Sequence, residues 1–135
     1  MTRRFQWLLV PAIVLPASQA FAVQYLTITE AQRLLFPSAD NFSLKGVNLT
    51  DAQAKAVKKM SGVAVQNRAY GVIVAERKGR IVGYLFQDQV LGKHENIDFV
   101  LAVDPAGTVL GIEILEYREL YGGEIRQPGW RRQFV

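Results

Sequence analysis

YGVIVAERKGRIVGYLFQ, residues 70–87, decides the fold. Its two halves, Tyr70 to Arg77 and Arg80 to Gln87, are built largely from β-branched and aromatic residues, the types that fit a pleated, half-buried surface. Between them stands Lys78-Gly79, a two-residue connection whose glycine accepts the positive φ that a tight hairpin requires. The same texture returns at Ile97 to Val103 and Val109 to Tyr117. Asp104-Pro105-Ala106-Gly107 separates these two runs and supplies preset and permissive dihedrals for a turn. Runs joined in this way predict an antiparallel meander.

Upstream of the hairpin the periodicity is helical. Thr29-Glu30-Ala31-Gln32 has the form of a capping box and precedes Leu34, Leu35 and Phe36, with Pro37 as a stop, so a helix is expected from Glu30 to Phe36. Thr50-Asp51-Ala52-Gln53 repeats the device and opens a second helix running to Met60. Ala52, Ala56, Val57 and Met60 lie on one side of it, Lys55, Lys58 and Lys59 largely on the other, and Gly62 provides the C-terminal cap. Helices first and strands afterwards predict an α+β domain, an antiparallel sheet meander with the N-terminal helices packed on one face. At the far end Pro128 to Phe134 can form a further helix with proline in its first turn, and Trp130 and Phe134, four apart, are expected to face the core.

Met1 to Ala22 reads as a secretory signal: Arg3 and Arg4 at the start, an apolar run from Phe5 to Leu15, and Ala20-Phe21-Ala22 as a small-residue cleavage pattern. The apolar run falls short of the roughly 20 residues a spanning helix needs. A retained anchor is the alternative to cleavage. Either way the chain is expected outside the cytoplasm, periplasmic and in contact with a membrane where the anchor is kept. The remaining 113 residues, 23–135, suffice for one domain and not two. Loss of Arg3 and Arg4 leaves 14 basic against 12 acidic residues, too small an excess to indicate nucleic-acid binding. There is no cysteine and one histidine, His94. That composition excludes disulfides, a cysteine nucleophile, an iron-sulfur cluster and a multi-histidine metal site.

Chemistry concentrates after the last strong strand. In Glu119-Leu120-Tyr121-Gly122-Gly123-Glu124, two adjacent glycines free the backbone of side-chain bulk, so a flat ring or a phosphate can approach its N–H groups. Gly-Gly is also an ordinary turn, and neither the Gly-x-Gly-x-x-Gly pattern nor the Walker phosphate loop surrounds it. His94, between Lys93 and Glu95, is either a polar contact to a ligand or a surface residue. Glu116, Arg118 and Glu119 are either a carboxylate set at a strand end or a salt-bridged rim.

Several motifs carry a resemblance. They are Gly83-Tyr84-Leu85-Phe86, Gly92-Lys93-His94-Glu95, Val103-Asp104-Pro105, the run Gly111 to Glu119, and Tyr121-Gly122-Gly123-Glu124-Ile125-Arg126. Together they make the chain similar to small exported FMN-binding domain proteins, relatives of the periplasmic flavoprotein subunits of the Rnf and sodium-pumping NADH:quinone reductase complexes and of the nitrous-oxide-reductase regulator. The resemblance implies an electron-transfer module, a carrier more than a stand-alone enzyme, that serves a membrane redox complex or a redox partner protein. It also implies FMN held through its phosphate by a threonine in a Ser-Gly-Ala-Thr motif, installed by a flavin transferase. This sequence lacks that motif: its threonines are Thr2, Thr27, Thr29, Thr50 and Thr108. A domain of this kind is expected to continue past Val135 toward it. Within this chain the cofactor-binding residues expected are Glu119, Tyr121, Gly122, Gly123 and His94. The alternatives are a cofactor-free periplasmic binding or sensing module on the same fold, and an exported enzyme acting through Glu116, Glu119 or His94.

Overall fold

The computed structural model describes residues 22–135, so the expected signal, apart from Ala22, lies outside the described residues. Six strands form one antiparallel sheet: β1 (Val23–Gln24), β2 (Asn41–Asn48), β3 (Ala69–Arg77), β4 (Arg80–Leu91), β5 (Asn96–Val103) and β6 (Val109–Tyr117), in the spatial order β1-β6-β5-β4-β3-β2. Three short helices, α1 (Ile28–Leu35), α2 (Asp51–Ser61) and α3 (Pro128–Arg131), complete a mixed α and β architecture. No helix among the described residues is long and apolar enough to cross a membrane.

The meander from β3 to β6 follows the sequence pattern, and its turns take the dihedrals their residues favour. Lys78 and Gly79 both have positive φ, 50° and 73°, as a two-residue hairpin demands. At the β5–β6 turn the Asp104 carboxylate accepts from the N–H groups of Ala106 and Thr108, at 2.9 and 2.8 Å, and Gly107 takes the left-handed position. Three register shifts, one between β3 and β4 and two between β5 and β6, insert an extra residue and re-aim the strand beyond it.

Elements before the meander depart from the sequence expectation in two ways. β2 lies between the two helices and pairs with β3 along its whole length, and β1 pairs with the end of β6, so the sheet recruits strands from the helical half. The first capping box is also displaced. Thr27, not Thr29, is the N-cap: its hydroxyl accepts from Glu30 N at 3.2 Å while the Glu30 carboxylate accepts from Thr27 N at 2.7 Å. The second box is where the sequence puts it, with Thr50 and Gln53 reciprocally bonded and Gly62 in the left-handed conformation.

One face of the sheet carries the main core. Ala31 and Phe36 from α1 and its C-cap meet Ala75, Leu85, Val100, Ala102 and Leu115 from β3 to β6, with Leu26, Ile28, Leu35 and Phe42 packed around them. Close approach depends on small residues in the strands: a Cβ at Gly83 would collide with the Phe36 ring, and one at Gly111 would stand 2.7 Å from Leu35. Val72 and Val74 alternate with Ile73 and Ala75 and are buried on the opposite face. α2 buries no residue; Met60, at 87% exposed, and Val57 face outward.

α3 begins with Pro128 at a first-turn position, as expected. The core-facing placement expected for Trp130 and Phe134 does not hold. Both are exposed and pack on each other at 5.0 Å between ring centres, because the helix is a single turn that meets the sheet through Arg131 instead. Arg131 pairs with Glu113 and donates to the Ile112 carbonyl at 3.0 Å.

Candidate functional site

β4, β5 and β6 are neighbours, so the β4–β5 connection and the segment leaving β6 emerge at the same end of the sheet. The Val90↔Ile97 and Ile97↔Tyr117 pairs place them side by side. That topology brings His94 beside Glu119. The Glu119 Oε1 atom accepts from His94 N at 2.6 Å and from Glu95 N at 3.0 Å, while Gly92 N donates to Glu95 O at 2.8 Å and closes the turn. The N–H groups of His94 and Glu95 hold the Glu119 carboxyl below the usual glutamate range. Gly92 is required here, since a Cβ at that position would stand 2.6 Å from Oε1.

A groove of about 480 Å³ opens between these two segments, lined by Lys93, His94, Glu95, Arg118, Glu119, Leu120 and Tyr121. That volume is within the range of small-molecule and cofactor sites. Leu120 and Tyr121 stand at its border, 78% and 88% exposed, an apolar pair with no packing of its own. Arg118 is committed elsewhere. Its guanidinium bonds Glu116 at 2.6 Å, Asp98 at 3.0 Å and the Asn96 carbonyl at 3.1 Å, and this pairing raises its pKa, the Asp98 bond contributing most. Of the two sequence possibilities for Glu116 and Arg118, the ion-paired rim is the one the geometry contains.

The five expected contact residues are divided. His94, Glu119 and Tyr121 line the groove. Gly122 has a φ of 89°, a left-handed conformation suited to glycine, and a Cβ there would lie 2.7 Å from the Tyr117 hydroxyl. That hydroxyl donates to the Tyr121 carbonyl, and burial raises the Tyr117 pKa, in keeping with a phenol that stays a donor. The bulk removed at Gly122 therefore accommodates the protein's own tyrosine. Gly123 faces a separate depression of about 490 Å³ with Tyr25, Arg126, Gln127, Pro128 and Arg131, where the Arg126 guanidinium stacks 4.3 Å above the Tyr25 ring.

The sequence did not single out Leu120, Tyr117, Tyr25 or Arg126 as contact residues, although Leu120 stands in the glycine loop and Tyr117 and Arg126 in the motifs quoted above; Tyr25 left no signal. The hydroxyls of Thr27 and Thr50 are occupied by their helix caps. Among the described residues no group of three histidine, cysteine, aspartate or glutamate side chains could hold a metal ion. Compared with known proteins, the chain matches no family model, no curated protein and no solved structure.

Proposed function

We propose that this chain is an FMN-binding electron-transfer module of an extracytoplasmic, membrane-associated redox chain, taking the flavin ring non-covalently into the groove between Lys93 and Tyr121. One observation carries this reading: the fold brings His94 beside the distant segment Glu119 to Tyr121, around a space of cofactor size edged by exposed Leu120 and Tyr121. The ring stacks against Tyr121 and Leu120, and Lys93, whose ammonium is the uncommitted cation of the lining, attracts the phosphate. When bound, FMN supplies the electron-carrying chemistry; the chain's residues bind and orient it. The expected packing of the N-terminal helices on one sheet face is supported for α1, which delivers Ala31 and Phe36 to the core, and has no support for α2, which buries no residue. A membrane redox complex or redox partner protein exchanges its electrons, and a flavin transferase acts where an attachment threonine is available.

A cofactor-free binding or sensing module is the second reading, favoured by the filled corner at Gly122 and by Glu119 consuming the N–H groups of His94 and Glu95. Titration of FMN fluorescence with purified protein separates the two. The flavin reading expects saturable quenching that weakens about tenfold in Tyr121→Ala, the loss of one aromatic stacking contact. Absence of quenching, or equal quenching by wild type and Tyr121→Ala, rejects flavin in this groove. Gly122→Val is a poor probe of ligand contact, because it strains the backbone and displaces Tyr117 whether or not flavin binds.

A further inference from the structure

The two edges of the sheet are treated differently. Along β6, β1 pairs with Tyr117 and Glu116, and Arg131 covers the Ile112 carbonyl. Along β2, no described element pairs with the outer side. β2 is eight residues long, and from Leu44 to Asn48 every residue is exposed, Leu44 at 73%. A bare strand of this length is a template for another strand.

The phase of its hydrogen bonds can be read from the pairing with β3. Leu49 N donates to Arg68 O at 2.9 Å, in line with the Asn48↔Ala69 register, so Val47, Lys45 and Ser43 direct their backbone groups to β3. Phe42, Leu44, Gly46 and Asn48 therefore point their N–H and C=O groups outward. Beside Leu44 a groove of about 420 Å³ extends over Gly71, Ile73, Gln87, Asp88 and Gln89.

The geometry points to a second copy of this chain as the occupant of that edge, its β2 lying antiparallel across a two-fold axis at Leu44. In this register Leu44 opposes Leu44 of the second copy and each half-buried Phe42 opposes a Gly46, which leaves room beside it. All of these positions have outward backbone groups. Lys45 opposes Ser43, so no like charges meet; a slip of the axis to Lys45 sets two ammonium groups face to face, and a slip to Gly46 moves Leu44 opposite Asn48. Charge disfavours the Lys45 axis and loss of the apolar pair disfavours the Gly46 axis, and in the Leu44 register the exposed Leu44 is covered by its symmetry mate. The contact is a single strand pair, at the small end of specific interfaces, so the dimer dissociates on dilution.

The chain has no cysteine, which makes a direct test of the axis available. In sedimentation equilibrium over a concentration series, the purified protein is expected to approach twice its monomer mass. Leu44→Lys, at a site too exposed to unfold the chain, is expected to raise the dissociation constant about tenfold or more by opposing two charges. Under mild oxidation Leu44→Cys is expected to cross-link to itself, since paired residues of this type stand about 5.5 Å apart between Cα atoms. Gly46→Cys, opposite Phe42, is expected to remain largely uncross-linked. A monomer at all concentrations, a Leu44→Lys variant that dimerises like wild type, or Gly46→Cys cross-linking as fast as Leu44→Cys overturns the proposal. None of these outcomes depends on whether flavin binds.

Discussion

α1 and α2 begin with the same device and end in different situations. Each opens on a threonine whose hydroxyl and backbone are reciprocally bonded to the residue three positions on, Glu30 in one and Gln53 in the other. Yet α1 delivers Ala31, with Phe36 at its C-cap, into the main core, whereas α2 buries nothing and is tied down near its start by the Arg68–Asp51 ion pair. A cap fixes where a helix starts and not what the helix packs against. Ile28 and Leu35 of α1 and Phe36 at its C-cap lie against the core, whereas Val57 and Met60, the large apolar residues of α2, face outward. Most helical stability in proteins comes from packing of this kind, so the two helices should respond differently to the same perturbations.

The largest contrast is expected from truncating their apolar residues. Phe36→Ala removes a ring that lies over Gly83 and should cost about 3–5 kcal/mol of unfolding free energy in a denaturant melt. A loss below about 1 kcal/mol would mean that α1 is as loosely held as α2. Next come the caps. Thr27→Ala should lower global stability by about 1 kcal/mol, because α1 unfolds only with the core. Thr50→Ala should leave the global transition within about 0.5 kcal/mol and appear instead as faster amide exchange within 51–61, the signature of a locally unfolding segment.

Acid should sharpen the same comparison. The backbone N–H of Thr27, followed by its hydroxyl, holds the Glu30 carboxyl below its ordinary value. Its stabilisation is complete above the ordinary glutamate value and disappears as pH falls through the lowered one. Gln53 has no such titration, so amide protection in α1 should fall across that window while protection in α2 does not respond at its cap. The smallest effect is expected from Met60→Ser, within about 0.5 kcal/mol of wild type by thermal melting. A larger loss would show that Met60 is covered in solution.

Where local chemistry determines structure, the sequence was readable. The Lys78-Gly79 hairpin, the Asp104 to Gly107 turn, the four long strands and the second capping box follow from residue types at fixed offsets. β2 was not read because Asn41 to Asn48 contains glycine and lysine, lacks a β-branched run, and becomes a strand by pairing with β3 across the intervening helix. The choice of Thr27 over Thr29 was also ambiguous locally, since both precede acceptable first turns. At the candidate site, Tyr121 and the glycine pair were visible as a loop with exposed potential. The bond from Glu119 to the His94 and Glu95 backbone was not, because it exists only once the ends of β4 and β6 are side by side.

That bond sets how the groove behaves. Its two walls belong to different loops and are joined at one oxygen, Glu119 Oε1, in a molecule with no thiol to lock them covalently. Such a fastener answers to proton activity. It is strongest while the carboxyl is ionised and weakens as acidity overtakes its depressed pKa, so amide exchange at His94 and Glu95 is expected to quicken in acid.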